Sequence, residues 1–86
     1  MIGEFQKGRV VKSLAGRDKG YLLVIIEANE KNAFVCDGKE RPLNRPKSKN
    51  IRHLELTDLS LKDNEMATDR ALRKALRRIN AENCNV

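Results

Sequence analysis

Aromatic side chains are scarce in this sequence of 86 residues: no tryptophan, one tyrosine and two phenylalanines. Proteins that hold single-stranded nucleic acid stack bases on several aromatic platforms, each contributing about 1–3 kcal/mol per base. This chain offers one such platform, Tyr21, because Phe34 lies in an apolar run that reads as core. Cysteine is rarer still. Cys36 and Cys84 form no CxxC pair, which excludes a disulfide-dense scaffold. Together with His53, the sole histidine, they make three soft ligands at irregular spacing, a poor match to a structural zinc site, so no metal is expected. Cys36 reads as a small core residue and Cys84 as a tail thiol. No nucleophile constellation surrounds His53, and no glycine fingerprint of the nucleotide-hydrolase kind is present. The expectation is therefore a protein that is not an enzyme, with no catalytic residues, no cofactor and no small-molecule substrate. Long hydrophobic runs are also missing: the longest, residues 21–26, falls far short of the ~20 residues that a membrane helix needs. Phe5 is followed at once by Gln6-Lys7-Gly8-Arg9, unlike the apolar core of a signal peptide. A soluble, cytoplasmic protein is the simplest expectation.

What the chain has is positive charge. Lys and Arg number 18 against 12 Asp and Glu, a net charge of +6. Residues 1–57 hold 12 of the cations and 7 of the anions, whereas residues 58–86 are nearly balanced at 6 and 5. An excess of this kind favours polyanions, whether RNA, DNA or an anionic membrane, and it also serves plain solubility. Eighty-six residues make one domain with a modest core, with about 60% of the unfolded surface hidden.

Residues 7–13 read as a first strand, carried by Val10 and Val11. Tyr21 to Ala28 is the strongest strand signal, too short for a typical helix and apolar enough for a central strand. After the polar turn 29–32, residues 33–36 make a third strand. Asp37-Gly38 is a hairpin signal, because both residues tolerate the positive φ of a type I′ turn. It leads into a short strand over 39–43, placed at a sheet edge by Pro42. Residues 44–50 read as a polar, basic loop, and residues 51–56 as a closing strand. Five short strands joined by tight turns point to a mainly β fold, a small, strongly bent sheet or partly open barrel. From Asp58 the chemistry changes. Leu72, Leu76 and Ile79 fall at helical spacing, with Arg70, Arg73, Lys74, Arg77 and Arg78 on the opposite arc. The expected organisation is a β-barrel over 1–57, then a linker and a C-terminal amphipathic α-helix over 58–86, the helix capped by Thr68 or Asp63. Ser60-Leu61-Lys62-Asp63 also fits a capping box.

Between the first two strands lies Gly16-Arg17-Asp18-Lys19-Gly20, entered through Gly8-Arg9-Val10-Val11-Lys12-Ser13 and left into Leu23-Val24-Ile25-Ile26. Gly16 and Gly20 supply the positive φ of a tight connection and let a phosphate approach bare backbone. Arg17 and Lys19 stand at the tip. This segment resembles the KOW motif of several large-subunit ribosomal proteins and transcription elongation factors. It is most similar to the archaeal and eukaryotic ribosomal type, and to small bacterial relatives. The resemblance covers residue 7 to about 56 and implies an SH3-like barrel, RNA contacts from the loop and no catalysis. Tyr21, Leu22 and Leu23 stand where many KOW sequences place a further glycine. The same loop would equally serve as a structural hairpin with two solvated charges.

The RNA-binding residues expected on this reading are Lys12, Ser13, Gly16, Arg17, Lys19 and Gly20 in and beside the loop. A second group, Arg41, Arg45, Lys47, Lys49 and Arg52, extends the grip, stiffened by Pro42 and Pro46. These cations and prolines would also guard a sheet edge against aggregation. The paucity of aromatics points to structured RNA, ribosomal RNA above all, held through phosphates and 2′-hydroxyls. The helix has several readings: an apolar stripe packed on the barrel with solvated cations, an extension of the RNA footprint, or a dock for the ribosome or another protein. Its thin apolar face, without Trp or Phe, argues against a membrane surface. From another class altogether, the chain would be a module that holds an acidic protein of the translation or transcription machinery.

Overall fold

The computed structural model describes the backbone of residues 5–83 and the side chains of residues 5–80; Cys84, read above as a tail thiol, lies outside the described residues. Five strands form one antiparallel sheet: β1 (Arg9–Ser13), β2 (Leu22–Ala28), β3 (Asn32–Cys36), β4 (Lys47–Asn50) and β5 (Leu54–Ser60), followed by helix α1 (Asp69–Asn83). Their order in the sheet is β4-β3-β2-β1-β5.

That order, combined with one short connection, dictates the curvature. In a flat sheet β4 and β5 would stand at opposite edges, four strand spacings or about 19 Å apart. Yet only the 3-10 turn Ile51–His53 joins them, and a chain of that length reaches at most about 14 Å even when fully extended. The sheet must therefore curl until its edges approach, giving the mainly β, SH3-like architecture with a C-terminal helix. The turn is pinned at both ends: the Ile51 N–H donates to the Lys31 carbonyl (2.9 Å), and the Leu14 N–H donates to the His53 carbonyl (2.8 Å).

Curling gives the sheet two buried faces. Val11, Leu23, Ile25, Ala33, Val35 and Leu54 fill the inside. Val10, Val24 and Cys36 face outward and are covered by Leu72, Ala75, Leu76 and Ile79 of α1, with Leu61 and Met66 completing the cluster. Burial on both sides is why residues 22–26 read as a continuous apolar run rather than an alternating one. The helix thus packs its apolar stripe on the barrel, and Thr68 caps it, its Oγ1 accepting from the Ala71 N–H (3.1 Å). Ser60 belongs to β5 rather than to a capping box; instead the Lys62 N–H donates to Glu65 (3.0 Å) over a short 3-10 turn, Asp63–Met66.

Other expectations also fail: the closing strand expected over 51–56 begins only at Leu54, after the 3-10 turn, and runs to Ser60. The strand expected over 39–43 does not form, because the Asp37 carboxylate gathers the N–H groups of Lys39 and Arg41 (2.9 Å each) into a compact turn. The Leu43 N–H then turns away to Asp69 (2.7 Å). The edge strand is instead β4, within the stretch expected to be a basic loop. It pairs with β3 from Lys47 opposite Val35 to Asn50 opposite Asn32, so main-chain pairing, not apolar content, makes it a strand. Phe34, expected in the core, is 39% exposed: it points to the outer face, flanked by Glu27 and Ser48 in the register.

Candidate nucleic-acid interface

The loop between β1 and β2 is built around its one acid. Asp18 Oδ1 accepts from Lys49 Nζ (2.9 Å) and from the Ser13 hydroxyl (2.8 Å). Lys49 Nζ also donates to the Ala15 carbonyl (2.9 Å). Lys49 enters this network because it stands opposite Ala33 in the ladder and so projects into the curl, where it is only 7% exposed. Burial opposes ionisation of Asp18, but the hydrogen bonds from Lys49 and Ser13 and the charges of Lys49 and Lys47 outweigh it, holding the carboxyl below its ordinary value.

Turning Asp18 inward has a consequence for its neighbours. Arg17 and Lys19 are exposed, and the two ion pairs among the described residues are Lys49–Asp18 and Arg78–Glu65. The loop's two tip cations are therefore left without a carboxylate partner, even though a carboxylate lies between them in sequence. Gly16 and Gly20 take φ of +88° and +91°. A Cβ at Gly20 would meet nothing within 4 Å, so the surface there is open to an approaching group.

Not every residue expected at the interface is free to act there. Lys49 and Ser13 are buried inside the loop's own scaffold, so they shape it instead of facing outward. The Gly20 N–H donates to the Ser13 carbonyl (2.8 Å) and the Lys19 N–H to the Gly16 carbonyl (3.2 Å), so neither amide is offered to a phosphate. Tight turns satisfy their own donors first.

The remaining cations divide into groups. Arg17 and Arg41 come together on a cleft of about 600 Å³ bounded by the loop, the 37–41 turn and α1. Lys12 and Gly20 line a smaller cleft of about 350 Å³ beside β5. Lys47 is near enough to Asp18 for its charge to be felt there. Arg45 and Arg52 are exposed and line neither cleft.

Arg73 and Arg77, named in the sequence only as part of the helix's basic arc and not among the expected interface residues, line the larger cleft from the α1 side. Their i, i+4 spacing marks one helix face, but nothing in the sequence says that this face abuts the loop. The approach is set by two hydrogen bonds between α1 and the 37–46 segment: Leu43 to Asp69, and Arg73 Nη1 to the Gly38 carbonyl (2.8 Å). Gly38 permits it, with φ of +80° and the Arg73 side chain crowding the place where a Cβ would stand. Cys36, under the same helix, has its thiol pushed up to about 12 by burial and by the charges of Asp69 and Asp37. Among the described residues no group of three or more His, Cys, Asp and Glu side chains could hold a metal ion, and no helix is long and apolar enough to cross a membrane.

No family model matches the chain. It is 35% identical over 68 residues to the large ribosomal subunit protein eL14 of Lumbricus rubellus, a match that takes in 79% of this chain and 44% of the earthworm protein. The chain thus spans less than half the length of that relative. The likeness of the opening segment to KOW proteins and this match agree: the chain is similar to the KOW-containing proteins of the large ribosomal subunit.

Proposed function

We propose that this protein is a ribosome-associated RNA-binding protein, a binder and not an enzyme, that grips structured ribosomal RNA in the cytoplasm. Arg17 and Lys19 meet phosphates from the loop tip, and Gly20 leaves room for the backbone to come close. Lys12, Arg41, Arg45, Lys47 and Arg52 extend the grip over neighbouring phosphates. Lys49, Ser13 and Gly16 hold the loop in shape. The observation that carries this reading is the inward turn of Asp18 to Lys49, which leaves two exposed cations on a rigid bend. Ion pairs within the protein would have to be broken before a phosphate could bind; here they are already avoided. The similarity to a protein of the large ribosomal subunit supports the same partner.

Salt dependence tests it. Removing one cation that sits on a phosphate should flatten the plot of log affinity against log salt by about 0.7–0.9 unit. Arg17→Ala with Lys19→Ala, assayed on a structured ribosomal RNA fragment, should therefore lower the slope by about 1.4–1.8 units. An unchanged slope removes those residues from the interface. Nuclease treatment of a lysate should also release the native protein from large particles; co-migration that survives it would point to a protein partner instead.

A further inference from the structure

The larger cleft has features that gripping a continuous phosphate backbone does not use. It is concave and, at about 600 Å³, falls in the range of small-ligand sites, roughly 300–1,000 Å³. Its lining includes arginines from three separate elements: Arg17 from the loop, Arg41 from the 37–41 turn, and Arg73 and Arg77 from α1. Planar guanidinium forks suit the oxygens of a single phosphate. The rest of its lining is different in kind. Tyr21, 63% exposed, lines it together with Leu22 and Leu76, an aromatic side chain in an apolar stretch of the lining with no core to pack into. Asp37 and Glu40 also line the cleft. Asp37 is occupied with the turn's own N–H groups, whereas Glu40 is exposed and available to accept hydrogen bonds from an amino group or a ribose hydroxyl.

We propose that this cleft holds one unpaired nucleotide of the bound RNA, its base stacked on Tyr21 and its phosphate clasped by Arg41, Arg73 and Arg77. The inference rests on the RNA-binding reading and adds to it a specific feature of the RNA. A fully paired helix keeps its bases stacked inside and shows the protein a convex surface, so it offers no free base to a concave cleft lined by an aromatic ring. A bulged or looped-out nucleotide presents both the π-face and the phosphate that these walls match. The walls are set in advance: Lys49 braces the loop, the Asp37 carboxylate shapes the turn that carries Arg41, and Arg73 is anchored to the Gly38 carbonyl. Little ordering is left to oppose binding.

The test compares a fully paired RNA hairpin with the same hairpin carrying one extra unpaired adenosine. Tyr21→Ala should weaken the bulged RNA by about tenfold and leave the paired one within about twofold. The salt slope should not change, because no charge is removed, and Tyr21→Phe should restore affinity by restoring the ring. Arg77→Ala should lower the slope on the bulged RNA alone. Equal effects of Tyr21→Ala on both RNAs, or none on either, overturn the proposal. In that case the RNA-binding reading still stands if Arg17→Ala with Lys19→Ala lowers the slope on both hairpins. Failure of the native protein to bind either hairpin removes both readings together. Adenosine monophosphate serves as competitor: displacement only at far higher concentration than the bulged RNA supports the proposal. Displacement at equal concentration would assign the cleft to a free nucleotide and overturn it.

Discussion

Replacing Lys49 with methionine separates a brace from a phosphate ligand. The substitution keeps most of the buried stem and removes the ammonium, leaving the Ser13 hydroxyl as the one side-chain donor to Asp18 among the described residues. Breaking a buried ion pair by removing one partner costs about 3–5 kcal/mol. The Asp18 side chain is 13% exposed, so water offsets part of that, and the expected loss is about 2–3 kcal/mol. A chain of 86 residues has a total stability of about 4–13 kcal/mol, so the variant stays folded but is clearly weakened. Urea denaturation should show a lower midpoint with an unchanged m-value. Adding Asp18→Asn should cost less than the two single losses added together, with a coupling of at least about 1 kcal/mol. Acid supplies a second readout. Asp18 has a folded value below its ordinary 3.8, so its stabilisation is fully present above about pH 4 and is lost as pH falls through the folded value. The stability gap between native protein and Asp18→Asn should close over that window. RNA binding gives the third readout: Lys49→Met should weaken affinity by loosening the loop while leaving the salt slope intact. Strict additivity in the double variant would refute the ion-pair argument, and a slope reduced as far as by Arg17→Ala would place the Lys49 charge on a phosphate.

Two further outcomes follow from the seating of α1 against the sheet and the turn at Gly38. Gly38→Ala forces a side chain into positive φ and puts its Cβ 2.5 Å from the Asp69 carbonyl oxygen, so it should destabilise by about 2–4 kcal/mol in chemical denaturation; a loss below about 1 kcal/mol would mean that the helix does not seat against this turn. In a Cys84→Ser background the Cys36 thiol, buried and pushed up to about 12, should resist a thiol reagent at pH 8 in native protein and react at once in denaturant; rapid labelling of Cys36 in the native state would show that α1 lifts readily off the sheet.

How much of this was legible beforehand depended on whether a residue's role is local. Glycines bounding a charged tip, a valine-rich opening strand and a leucine stripe at helical spacing each carry their meaning within a few residues, and each stands where the sequence implied. Lys47-Ser48-Lys49-Asn50 shows the opposite case. Its composition says loop, and only pairing with β3 makes it a strand. The 39–43 segment departs for a local and a distant reason: Asp37 draws the Lys39 and Arg41 N–H groups into a turn, and the Leu43 N–H goes to Asp69, 26 positions away.

The amino-acid order alone determined that this chain is basic, built of short strands ahead of one amphipathic helix, with a cationic bend between glycines. Those properties follow from backbone preferences and apolar spacing, which act over a turn or two. Which cations face outward was decided only by the tertiary structure. Curling of the sheet carries Lys49 inward to Asp18, leaving Arg17 and Lys19 exposed and outside that ion pair. Docking of α1 carries Arg73 and Arg77 to the same cleft as Arg17 and Arg41. Charge is written residue by residue, but the partner that neutralises it, or fails to, is chosen by neighbours distant in the chain.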